Sequence, residues 1–158
     1  MARPLRNSIE INPIRPTRTF FATTKTHSGK RILQSERNAR LLIAVLRSCV
    51  AEGKFKLLDF VIMPDHVHLL ISVQDQTTIE KAMQFIKGRF SFLLKKDHGY
   101  LGEVWQHGFS ESRADDHLSQ QKYREYIFQN PVKAGLCATP EEFPFCYTYL
   151  ARKKAGGG

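Results

Sequence analysis

His66 and His68 stand one residue apart in the run Met63-Pro64-Asp65-His66-Val67-His68-Leu69-Leu70-Ile71. Side chains alternate faces along a strand, so both imidazoles project to one side while Val67 and Leu69 project to the other. Two imidazoles in register on a rigid strand suit one divalent metal ion, with a further ligand and waters leaving room for a substrate oxygen. Taken alone, the pair also fits two half-exposed histidines with no chemical part. The flanking charge-free runs, residues 60–64 and 69–73, point to a buried strand, where a histidine is costly without a partner. A second constellation is Tyr123-Arg124-Glu125-Tyr126-Ile127-Phe128-Gln129-Asn130-Pro131-Val132-Lys133-Ala134-Gly135-Leu136. On a helix Tyr126 and Asn130 share a face, with Tyr123 close by. A phenol and an amide oxygen there can both reach a metal site made elsewhere. Equally, Tyr126 can pack in a core while Asn130 opens the turn at Pro131.

The elements that must position these groups follow from periodicity. Residues 19–24, β-branched and aromatic, predict a strand. Residues 35–52 carry Leu41, Leu42, Val45, Leu46 and Cys49 at helical spacing and stop at Gly53. Residues 56–63 and 66–73 predict two strands joined at Pro64-Asp65, and residues 78–96 a second long helix. Residues 104–112, with the only tryptophan, Trp105, predict a fourth strand. Residues 118–129 predict a third helix, stopped at Asn130-Pro131 because a residue before proline avoids the α region. Strand, helix, strand, strand, helix, strand, helix is the α+β, ferredoxin-like order: an antiparallel sheet with helices packed on it, plus a C-terminal helix. That fold serves many functions and names none.

The 158 residues match one domain able to bury a full core. A net charge of +9 favours a polyanionic partner, nucleic acid above all. Three scattered cysteines, Cys49, Cys137 and Cys146, form neither a disulfide framework nor a zinc knuckle and read as reduced thiols. No apolar run is long enough to span a membrane, and the basic start is followed by no apolar signal region, so a cytoplasmic protein is expected. Residues 1–18, rich in Arg and Pro, read as a basic arm, and residues 151–158 as a flexible tail.

The histidine run followed by residues 126–136 resembles the single-tyrosine HUH transposases, and within them the REP-associated tyrosine transposases. Trp105-Gln106-His107-Gly108-Phe109-Ser110-Glu111, then Arg113, resembles their intervening segment. The resemblance runs from about Phe20 to Leu136 and implies an HUH single-tyrosine transposase domain over residues 19–150. It implies His66 and His68 as metal ligands, Tyr126 as nucleophile and Asn130 as the polar residue completing the metal site, with Gln129 a weaker candidate. Phe128 departs from relatives that carry a polar residue or His there. The implied cofactor is Mg²⁺ or Mn²⁺, and the implied partner is single-stranded DNA folded into hairpins such as REP elements, bound by a monomer or a homodimer.

The chemistry matches those residue types. Ionising a tyrosine of pKa near 10 at pH 7 costs about 4 kcal/mol. A divalent ion on the scissile phosphate offsets that cost, and histidine ligands tilt the choice toward Mn²⁺. The expected reaction is metal-dependent cleavage and strand transfer through a 5′-phosphotyrosine, needing no ATP because the covalent link conserves the phosphodiester energy. Expected DNA contacts are Lys87, Arg89, Arg113, Lys122, Arg124 and Lys133, with Trp105, Phe109 and Tyr123 offering faces for bases. Two rivals remain: a non-catalytic single-stranded nucleic-acid-binding module, and a metal-dependent phosphodiesterase that uses water.

Overall fold

The computed structural model describes residues 16–155. The expected arm lies outside the described residues as far as residue 15, and Arg18 already belongs to the first strand. Strand β1 is Arg18–Lys25, and helix α1 is Glu36–Ala51. The Ser35 hydroxyl caps α1 by accepting from the Asn38 amide, so one free N–H of the first turn is satisfied. Strands β2, Lys56–Met63, and β3, His66–Val73, form a hairpin through Pro64-Asp65. Helix α2 is Ile79–His98; Thr78 caps its start, and Gly99 ends it in the left-handed region, at φ 67°. Strand β4 is Ser110–Arg113, α3 is His117–Lys133 and α4 is Tyr147–Ala155.

The four strands form one sheet in the order β2-β3-β1-β4, each neighbour antiparallel. This is the ferredoxin-like arrangement expected from the order of elements. Strand parity sorts the apolar residues to two faces. Phe20 and Ala22 of β1, Phe60 and Ile62 of β2, and Val67, Leu69 and Ile71 of β3 join α1 and α2 in the larger core. Phe21, Val61, Met63 and Leu70 turn the other way and meet Ile127 of α3 with Phe143 and Cys146. His66 and His68 share the parity of Leu70 and therefore face α3. Cys49 and Cys146 are buried free thiols and Cys137 is half-buried. No helix among the described residues is long and apolar enough to cross a membrane.

Most boundaries fall within a residue or two of expectation, and three segments depart from it in kind. The fourth strand is confined to Ser110–Arg113, and Trp105 makes only an isolated bridge to Thr26. Side chains take residues 105–108 out of the sheet. The Lys87 ammonium donates to the carbonyls of Gln106 and Gly108 at 3.1 and 2.7 Å, and the Trp105 indole N–H donates to the Lys87 carbonyl at 3.0 Å. That stretch is a loop strapped to α2. Helix α3 does not stop at Asn130 but runs to Lys133 with Pro131 inside it. The pre-proline preference yields because Pro131 is buried and the helix closes beyond it, Ala134 donating to Asn130 and Leu136 to Pro131. Finally, α4 continues through Ala155, past the start expected for the tail at residue 151.

Phe90 of α2 is fully buried, its ring 5.5 Å from that of Trp105. Replacing it with Ala is expected to cost about 3–5 kcal/mol in urea unfolding, because the close-packed core cannot collapse into the space. A loss below about 1 kcal/mol would contradict that packing.

Candidate active site

The site begins with the register of β1 against β3, which sets Thr23 opposite His68 and Lys25 opposite His66. Thr23 and Lys25 share parity with Phe21, so they face α3 as the histidines do. The Thr23 hydroxyl lies 2.8 Å from His68 Nδ1, and Asp65 Oδ1 lies 2.8 Å from His66 Nδ1. With Nδ1 of each ring engaged, the Nε2 atoms are the nitrogens left for another ligand. The rings are 4.7 Å apart between centroids. Burial, with His66 adding to it, lowers the His68 pKa to about 4, so this imidazole is neutral and able to donate its lone pair at pH 7.

Tyr126 comes from α3. Its ring stands edge-on to His68 at 5.3 Å and edge-on to Phe21 at 5.7 Å, and 43% of the residue is exposed. Phe21 stacks on both His68, at 5.4 Å, and Tyr123, at 4.4 Å. The phenol and the two imidazoles line one cleft of about 500 Å³, together with Thr23, Lys25, Asp65 and Gln106. Helix α3 is fixed to the edge strand by Arg124, which donates to the Leu58 carbonyl at 3.0 Å and lies 3.8 Å from the Asp59 carboxylate. Asp59 is buried beside the irregularity in β2, its carboxylate accepting from the Phe60 amide at 2.8 Å. Burial raises its pKa to about 6, against the lowering pull of the Phe60 amide and Arg124.

The residues singled out by sequence fall into three groups. His66, His68 and Tyr126 are brought together. Asn130, roughly 6 Å further along the α3 axis from Tyr126, does not line the cleft, and the Gln129 amide donates to Glu125 instead. Among the described residues no third His, Cys, Asp or Glu joins the pair in a metal-binding cluster. Of the basic candidates, Arg89 forms a two-pronged pair with Glu52 at 3.0 Å per contact, between α2 and α1 and away from the histidine face. Arg113 pairs with Asp115, while Lys87, Trp105 and Arg124 hold backbone carbonyls. Lys122 and Lys133 are exposed and make no ion pair among the described residues.

Thr23, Lys25, Asp65 and Gln106 escaped the sequence reading. Asp65 had a signal in its adjacency to His66. The other three acquire meaning only through strand pairing and the loop's return to β1, where Gln106 donates to the Lys25 carbonyl at 2.8 Å.

A family model described as "Transposase IS200 like" matches residues 21–130. A Haemophilus influenzae protein described as a REP-associated tyrosine transposase is 25% identical over 101 residues, 58% of this chain and 57% of that one. The chain thus matches little more than half the length of this curated relative. Among solved structures, a REP-associated tyrosine transposase bound to a REP hairpin superposes with a TM-score of 0.70 at 20% identity, over 87% of this chain and 81% of the other. A transposase from Deinococcus radiodurans R1 gives 0.56 at 18% identity, over 75% and 95%. The two likenesses bear on the fold.

The buried titratable groups predict opposing pH effects in metal-free protein. His68 has its pKa lowered from 6.5 to about 4, so the unfolded chain binds the extra proton and stability falls as pH drops from 6.5 to 4. Asp59 has its pKa raised from 3.8 to about 6, so the folded chain binds the extra proton and stability rises as pH drops from 6 to 3.8. The two trends offset. Asp59→Asn is expected to steepen the loss of urea midpoint between pH 6.5 and 4; an unchanged slope would refute the assignment.

Proposed function

This chain belongs to the IS200-like transposase family, and from that premise we propose that it is a metal-dependent single-stranded DNA endonuclease and strand transferase acting on DNA hairpins. One observation carries the reading: an exposed phenol, Tyr126, stands over His68 in a cleft where His66 and His68 both have Nε2 available. A solved structure of the same fold is that of a transposase bound to a REP hairpin, which supports a hairpin substrate.

The donor set fits a divalent cation. Both imidazoles are oriented through Nδ1, by Asp65 and by Thr23, in the manner of metal-ligating histidines. His66 and His68 would hold Mg²⁺ or Mn²⁺; Asn130, outside the cleft lining, would serve as the proposed third protein donor only on a movement of α3 toward the histidines. When bound, the cation supplies positive charge to the phosphate and eases loss of the phenolic proton. Tyr126 Oη attacks phosphorus, the bond to the 3′-oxygen breaks, and that oxygen gains a proton and leaves as a free 3′-OH. The product is a 5′-phosphotyrosine. A 3′-OH then attacks this link, which restores the phosphodiester and the phenol. Both histidines and Tyr126 belong to one chain, so one copy carries all three.

A hairpin oligonucleotide labelled on the 3′ side of the cut, incubated with Mn²⁺ and run on a denaturing gel, is expected to give a covalent protein–DNA band. Tyr126→Phe is expected to abolish the band, and His66→Ala to remove cleavage while the fold is retained. Binding without any band would leave the non-catalytic module standing. Cleavage by Tyr126→Phe at the unaltered rate would favour the water-using phosphodiesterase.

A further inference from the structure

We propose that Lys25 is the residue that holds the DNA phosphate in the cleft, its ammonium taking a non-bridging oxygen of the phosphate that enters beside His66. The inference rests on the reading above and assigns a residue that neither the sequence motifs nor the family match singles out.

The case starts with placement. Lys25 is the last residue of β1 and lies directly opposite His66 in the β1–β3 ladder. Its parity is that of Phe21 and Thr23, so its side chain leaves the sheet on the histidine side and lines the cleft. The backbone around it is fixed. Gln106 donates to the Lys25 carbonyl, while the fully buried Thr26 donates through its amide and its hydroxyl to the Asp65 carbonyl, and through the hydroxyl to Lys30 as well. The stem of Lys25 therefore projects from a rigid point while its head remains exposed.

Charge points the same way. Lys25 is the one Lys or Arg among the residues lining this cleft. Among the described residues it has no carboxylate within ion-pair distance, and the nearby Asp65 carboxylate is engaged with His66 Nδ1. Three arginines that the sequence offered or that lie near α3 are occupied elsewhere: Arg89 by Glu52, Arg113 by Asp115, Arg124 by Leu58 and Asp59. A phosphodiester is an anion, and negative charge grows on its oxygens as the phenol attacks. An unpaired ammonium on a fixed strand end meets that need as a point charge, without the two-pronged geometry of Arg.

The test measures binding of a hairpin oligonucleotide in EDTA by fluorescence anisotropy across a salt series, then single-turnover cleavage in Mn²⁺. Two strands are compared, one of them with a neutral methylphosphonate at the cleavage position. Lys25→Ala is expected to reduce the salt slope by about 0.7, the share of one single-strand phosphate. Cleavage is expected to slow roughly 100-fold, with Lys25→Arg restoring much of the rate. The methylphosphonate is expected to weaken binding by the unaltered protein but not by Lys25→Ala, a non-additivity that a merely structural role would not produce. Equal weakening of both proteins, or an unchanged slope and rate in Lys25→Ala, would overturn the assignment to Lys25 alone. Failure of the unaltered protein to bind the hairpin at any salt would overturn both this inference and the function on which it rests.

Discussion

The antiparallel register between β1 and β3 is the constraint on which the site depends. It puts the Thr23 hydroxyl at His68 Nδ1 and Lys25 beside His66. Side-chain direction in a strand has a period of two, so a slip of one residue would send Thr23 and Lys25 into the larger core and Phe20 and Ala22 out of it. Burying an ammonium and exposing Phe20 would both be costly, and that double penalty locks the register. The order of the cleft thus follows from the sorting of apolar residues to the far side of the sheet.

Much of this was legible in the sequence, and the reasons are physical. The histidine pair could be placed on one face because strand parity is local and needs no knowledge of neighbours. Both long helices showed their apolar stripes, since residues three and four apart share a face. The misread segments are those where a non-local contact overrides a local preference. Val104, Trp105 and Phe109 have strand-forming side chains, but Lys87 and the Trp105 indole draw the stretch between them onto α2. Pro131 carries a stop signal, but burial and the closing hydrogen bonds of the last turn carry α3 past it.

The basic and aromatic residues show a further limit. Composition reports the amount of charge but not which charges are already paired. Arg89 and Arg113 face carboxylates, and Arg124 joins α3 to the sheet. The aromatic rings are likewise engaged: Trp105 and Phe109 pack on the main core, and Tyr123 stacks on Phe21. A row of rings that resembles a platform for bases in one dimension is, in three dimensions, largely packed within the fold.

The two faces of the sheet are unequally filled. Helix α3 buries only Ile127 and Pro131 of its own residues, whereas α2 buries six, and the cluster beneath α3 is much the smaller. Proteins open in cooperative pieces whose cost scales with what each piece buries. The helix bearing Tyr126 can therefore lift from the sheet at less cost than α1 or α2 can separate from it. Its amides should exchange with solvent through a local opening well before those of the histidine strand, so the two halves of the site should differ in rigidity.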